Sequence, residues 1–237
     1  MTQRTITAAT TTARDTCDPA SRVTKSLLGY GVIAGPVYVA TALVQSLTRE
    51  GFELGRHQWS LLANGDLGWI QIANFVVTGL MVLAFAAGLR RALGTGPGSR
   101  APQLVAVYGV SLMAAGVFRA DPALGFPAGT PEGPAPISWH GIVHFAAGAV
   151  GFTCLAIACF AVARRYAAEG HRGWARYSRL TGVVFLAGFA MVASGRGSEA
   201  ANLAFTAAVI LVFGWLAAVA AQRYRRVAPG GAHPAGN

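Results

Sequence analysis

The chain has 237 residues, 54% of them hydrophobic and only 12% charged, with a mean hydropathy of +0.47. An ordinary soluble domain carries roughly 25% charged residues, so this composition excludes a water-solvated globule and fits a chain solvated by lipid. The net charge of +10 does not read as a nucleic-acid surface, because the basic residues come in bursts between apolar runs instead of lining one polar face.

Residues 1–24 hold Thr, Ala and Asp with no apolar stretch of the kind a signal peptide needs. They read as a disordered tail, and the first apolar run as an uncleaved anchor. A spanning helix takes about 20 mainly apolar residues. Six segments within residues 25–222 meet that need: 27–47, 69–89, 101–118, 141–163, the short and weakest 180–195, and 200–221. Residues 223–237 form a second tail, first basic and then rich in Pro and Gly. The expected fold is an all-α, six-helix transmembrane bundle.

Charge fixes the expected orientation. With both termini cytoplasmic, fifteen of the nineteen Lys and Arg residues fall on the inner side, leaving Arg49, Arg56, Arg119 and Arg196 outside. That is the positive-inside bias, and deleting the weak fifth span would spoil it. The preference for Arg over Lys is a compositional hint of a high-GC bacterial genome, and the expected location is a bacterial cell membrane.

Gly31 and Gly35 in the first span are four apart and precede Pro36. Small residues at this spacing let helices approach closely, within one chain or between two copies. Residues 48–68 form a polar outer loop ending in Asn64-Gly65-Asp66, a turn signal with Asp66 as an expected helix N-cap. Residues 119–140 hold five of the eleven prolines (Pro122, Pro127, Pro131, Pro134 and Pro136), so this segment reads as stiff and extended. The third outer connection, near Arg196 and Glu199, reads as a tight hairpin. Cys17, Cys154 and Cys159 have neither metal nor disulfide spacing and read as small fillers.

The distinctive polar residues gather at the outer level: His57, Asn64, Asp66, Gln71, Asn74, Arg119, Asp121, Ser138, His140, His144, Glu199 and Asn202. Two readings compete for them. In one, the side chains clamp helices together or line a pocket for a ligand, lipid or partner. In the other, His140 and His144, one helical turn apart, bind Zn²⁺ with a third ligand from His57, Asp121 or Asp66. The metal would then activate water against a lipid or cell-envelope substrate, with Ser60, Ser138 or Arg119 orienting it. The spacing lacks the intervening Glu of the metalloprotease helix, so the residues do not decide whether the protein is an enzyme. A transporter ranks third, since no span carries a charge near its middle and no repeat is visible. On the inner side Arg164, Arg165, Arg172, Arg176 and Arg179, interleaved with Tyr166, Trp174 and Tyr177, form a basic aromatic collar facing anionic lipid.

Several motifs together resemble a known family. They are Gly35-Pro36, Arg56-His57, the run from Ser60 through Asn64, Asp66 and Trp69 to Asn74-Phe75, Asp121-Pro122 with Phe126-Pro127, and Ser138-Trp139-His140-Gly141 followed by His144-Phe145. The resemblance is to the bacterial membrane proteins of domain-of-unknown-function family 998, and it covers roughly residues 25–222. It implies a polytopic membrane protein and no particular reaction.

Overall fold

The computed structural model describes residues 18–133, 136–194 and 198–227. The tail residues 1–17 and 228–237, and with them Cys17, Pro134 and Arg196, lie outside the described residues. Six α-helices account for most of the rest: α1 (Pro19–Thr48), α2 (Gly68–Leu93), α3 (Ala101–Val117), α4 (Trp139–Ala168), α5 (Arg172–Ala193) and α6 (Glu199–Arg226). A 3-10 turn, Trp59–Ala63, sits between α1 and α2. Helices α1, α2, α4 and α6 are long and apolar enough to cross a membrane, and α3 is a shorter apolar helix.

Several helices outrun the apolar segments that announce them. Helix α1 starts at Pro19, inside the expected tail, because the Asp18 carboxylate accepts from the backbone N–H groups of Ala20 and Ser21. At the other extreme, α6 carries Arg223, Arg225 and Arg226 in its last turn, where cations complement the helix dipole. Helix α5 begins at Arg172, eight residues before its apolar stretch, so its exposed arginines ride on helix and not on a loop.

The helices form a closed ring: each packs on its neighbour in sequence, and α6 returns to α1. Gly31 and Gly35 explain the return. A Cβ on Gly31 would lie 2.5 Å from the Phe85 ring and 2.8 Å from the Ala220 Cβ, and one on Gly35 would lie 3.0 Å from the Phe213 carbonyl oxygen. The small-residue pair is thus engaged with α2 and α6 of its own chain. Tyr38 stacks on Phe213 at 4.7 Å and meets Phe75 and Trp59 at 5.9 Å each, tying α1, α2, α6 and the 3-10 turn around one centre. Cys154 and Cys159 are free thiols, the latter buried.

Polar pairs within the ring connect neighbouring helices. Gln45 Nε2 donates to Gln71 Oε1 at 2.8 Å, and Asn74 Nδ2 donates to the Tyr38 carbonyl at 3.1 Å, joining α1 to α2. Trp215 Nε1 donates to Ser178 Oγ at 2.9 Å, joining α6 to α5. Such bonds contribute about 0.6 kcal/mol each in lipid on average, so they select register more than they supply stability.

The end of the bundle that carries both described termini is fastened by Glu169. Its carboxylate accepts from Arg165 Nε at 2.6 Å and from Arg223 Nη1 at 2.9 Å, with Arg226 Nη1 at 3.5 Å. Arg223 is buried and lies over the Tyr166 ring at 4.5 Å. Burial by itself raises the Glu169 carboxyl, but the hydrogen bonds and charges of Arg223 and Arg165 outweigh it and hold the group below the ordinary carboxylate range. A depressed native value adds stability that is complete above the unfolded value, about 4.3, and is lost as pH falls through the native one. The melting temperature in detergent is therefore expected to drop on acidification below about pH 4. Glu169→Gln should lower it at neutral pH and flatten part of that acid limb. An unchanged acid limb in the variant would remove Glu169 from this role.

Candidate functional site

The connection between α1 and α2 was expected as a polar surface loop. It is instead a plug seated on one end of the ring, because the polar reading overlooked Phe52, Trp59, Leu61 and Leu62, all of which are buried. Phe52 and His57 pack around Phe126 of the α3–α4 loop at 5.2 and 5.6 Å. Arg49 holds the plug from beneath, with Nη1 donating to the Leu62 carbonyl and Nη2 to the Asn64 carbonyl, each at 2.7 Å. Asn64 Nδ2 donates to the Ala120 carbonyl at 3.0 Å, and Asn202 Nδ2 to the carbonyls of Leu54 and His57. Arg56 pairs with Glu132 across the two loops.

Beneath the plug, and inside the ring, lies a cavity of about 640 Å³. Every element of the ring contributes to its wall. Tyr38, Phe75, Tyr108, Phe152 and Phe205 supply aromatic surface, while Trp59, Ser60, Ser111, His144 and Thr206 supply polar atoms. Among the described residues no Asp, Glu, Lys or Arg lines it. Phe152 is the hub of its deeper wall, meeting Phe185, Phe189 and Phe205 at 5.2 to 5.5 Å.

His144 is the polar residue whose state the geometry defines best. Its Nδ1 lies 3.1 Å from the Ala115 carbonyl and 2.9 Å from the Phe118 carbonyl. Carbonyl oxygens only accept, so Nδ1 carries the proton, and in the neutral ring Nε2 keeps a lone pair. These bonds also satisfy carbonyls at the end of α3 that have no helical partner. Trp59, on the same wall, is 6% exposed and its indole N–H has no acceptor among the described residues.

Of the residues expected at the site, His144 and Ser60 line the cavity. His57 sits in the plug with both ring nitrogens engaged: Nδ1 accepts from the Glu53 N–H and Nε2 donates to the Leu124 carbonyl, each at 2.9 Å. Asn64 fastens the plug, and Asn74 joins α1 to α2. Asp121 accepts from the Ser138 N–H at 2.8 Å and Ser138 Oγ at 2.6 Å, and Ser138 Oγ in turn caps α4 by accepting from the Gly141 N–H. A Cβ at Gly141 would collide with that carboxylate, which explains the glycine.

His140 is exposed, stacks on Trp139 at 3.6 Å and does not line the cavity. Arg119 is exposed and makes no ion pair with Asp121 or Glu199 among the described residues. Asp66 is exposed, and it does not cap α2 as expected. Gly65 adopts φ +71°, and the Gly68 N–H donates to the Gly65 carbonyl at 2.9 Å, so the helix start needs no side-chain acceptor. Among the described residues no group of three or more His, Cys, Asp and Glu side chains is placed to hold a metal ion. The four residues expected as zinc ligands, His140, His144, His57 and Asp121, lie in different settings, each with its own partner.

The sequence matches the family model described as Protein of unknown function (DUF998) over residues 32–222. The chain belongs to the DUF998 family. No curated protein and no solved structure gives a significant match. In this DUF998 chain the motif residues gather around the plug and the cavity it covers. Gly35 closes the ring, Arg56 and His57 join the two loops, Asp121 and Ser138 cap α4, and His144 stands in the wall. Sequence reasoning missed Arg49, Trp59 and the aromatic wall. Tyr38, Tyr108 and Phe152 stand near the middle of their apolar segments, where nothing in the sequence sets them apart from ordinary apolar residues of a helix.

Proposed function

We propose that this DUF998 protein is a six-span protein of the bacterial cytoplasmic membrane, with both termini cytoplasmic, that binds an uncharged, mainly apolar ligand in the cavity under its plug. The orientation rests on charge. Arg164, Arg172 and Arg176 are exposed on the side of the termini, where they suit anionic lipid, while Arg165 is taken up by Glu169. The carrying observation for binding is a cavity of about 640 Å³ with an aromatic wall and, among the described residues, no charged side chain. Pockets of 300 to about 1,000 Å³ of this make hold drug-sized ligands. A charged ligand would lose its hydration with no counter-ion to replace it.

Purification in nanodiscs followed by solvent extraction and mass spectrometry tests this. The wild type is expected to retain a near-stoichiometric uncharged compound that empty nanodiscs do not. His144→Ala should retain at least about tenfold less if one polar contact worth 1.4 kcal/mol is lost. A wild-type extract indistinguishable from empty nanodiscs, before and after incubation with neutral bacterial lipid, would overturn the reading.

A further inference from the structure

The cavity also has a direction and a mouth. Most of its polar groups lie near the plug, at Gln58, Trp59, Ser60 and His144, whereas Phe152 and Val209 belong to its deeper part; there Ser111, opposite Gly151, has its hydroxyl spent on the Tyr108 carbonyl, and Thr206 follows Phe205 on α6. Phe152 is eight residues beyond His144 on α4, about 12 Å along the helix. The polar end is therefore also the end nearer the membrane surface, which is the arrangement of a lipid standing in its own leaflet.

The mouth is lateral. Phe145 lines the cavity and is nonetheless 55% exposed, and Ala149, one turn further along α4, does the same. Ala193 at the end of α5 is likewise both lining and exposed. Below this level α4 and α5 are in close contact, since a Cβ on Gly182 would lie 3.0 Å from the Cys159 Cβ. Six residues nearer the plug, where Phe189 still meets Phe152 at 5.2 Å, α5 also leans on α6: a Cβ on Gly188 would lie 3.0 Å from the Ala208 Cβ. The gap between the two helices, marked by the exposed lining at Phe145, Ala149 and Ala193, therefore lies between the Phe152–Phe189 contact and the plug, and the residues along it are apolar. A gap between helices with an apolar rim opens to acyl chains more readily than to water.

Resting on the binding reading above, we infer that the ligand is a membrane-dissolved lipid with an uncharged hydroxyl head, loaded sideways from the outer leaflet between α4 and α5. The hydroxyl donates to His144 Nε2, whose lone pair is left free because Nδ1–H serves two backbone carbonyls. The tail lies along Phe152 and Phe205.

The probe is a long-chain alcohol bearing a tail diazirine, dissolved in vesicles that contain the full-length protein. Its methyl ether serves as the control without a donor. Irradiation should label peptides of α4 and α6 saturably, with the ether at least about tenfold weaker, the worth of one hydrogen bond of 1.4 kcal/mol. Ala149→Trp, at an exposed position where bulk is tolerated, should slow labelling about tenfold or more at an unchanged melting temperature. Glu50→Trp, on the exposed side of the plug and outside the cavity's lining, should not. The opposite pattern, with Glu50→Trp slow and Ala149→Trp normal, would overturn the lateral route and leave cavity binding standing. Equal rates in all three proteins would overturn the route as well, and equal labelling by alcohol and ether would overturn the hydroxyl assignment. Labelling that never saturates and falls only on lipid-facing residues would overturn the binding reading itself.

Discussion

Arg49→Leu is expected to lower the melting temperature in detergent by roughly 10 °C, one of the largest single effects in the molecule. The side chain makes two short hydrogen bonds to backbone carbonyls of the plug, at Leu62 and Asn64, both of which are buried residues. Hydrogen bonds from a charged donor contribute about 1.5–3 kcal/mol each, and leaving the two carbonyls without donors adds a desolvation cost. The guanidinium also lies 5.0 Å from the Phe126 ring centre, a cation–π contact of about 0.5–1 kcal/mol. A loss of about 4 kcal/mol in a chain of this size corresponds to roughly 2–4 °C per kcal/mol. Arg49→Lys should recover only part, because an ammonium cannot reach two carbonyls with a planar fork. Gly65 belongs to the same arrangement: a Cβ there would lie 2.8 Å from Arg49 Nη2. Differential scanning fluorimetry of the three proteins decides the matter. A leucine variant melting within about 2 °C of wild type would show that the plug is held by its apolar side chains alone.

The helices were legible because spans are written in long uniform stretches, and hydropathy averages over many residues. What hydropathy does not register is helix that continues past the apolar run. Asp18 starts α1 early by capping it, Arg223, Arg225 and Arg226 ride on the last turn of α6, where cations suit the dipole, and Arg172, Arg176 and Arg179 ride on α5, all without making a helix more apolar. The loops were the harder case. Residues 48–68 look polar on average, yet Phe52, Trp59, Leu61 and Leu62 point inward while Glu50 and Asp66 remain exposed. A short segment folded on itself hides its pattern from any periodicity.

The site was legible in part for a similar reason. His144 was singled out as an ionisable residue within a span, and it lines the cavity. Its expected companion, His140, is one turn nearer the surface, beyond the end of α3, and stacks on Trp139 instead. In the sequence Asp121 is a candidate third metal ligand, but its position before a helix whose first turn contains Gly141 makes it an acceptor for the cap at Ser138. Aromatic residues such as Phe75, Phe152 and Phe205 lie in different helices far apart in the sequence. Only ring closure, α6 returning to α1, brings them to one wall.

Gly148→Phe is expected to separate a binding cavity from a packing defect. In this chain Gly148 lines the cavity, and a Cβ placed on it would meet only Phe152 Cε2, at 3.9 Å. The position therefore has room for a ring, unlike Gly151, where a Cβ would collide with Ser111 Oγ. Replacing glycine inside a helix should gain up to about 1 kcal/mol of helix propensity, and a ring that fills apolar space adds burial. The melting temperature should stay level or rise by a few degrees, roughly 2–4 °C per kcal/mol gained. A ligand held in the same space should be lost almost entirely, a fall of about a hundredfold or more if some 3 kcal/mol of contact is displaced. The binding reading stands only if retention collapses while stability holds or rises. If ligand retention survives the Gly148→Phe substitution, the ligand lies elsewhere on the protein. If stability falls with it, the cavity is not open space that a side chain can occupy, and the size argument for its ligand fails.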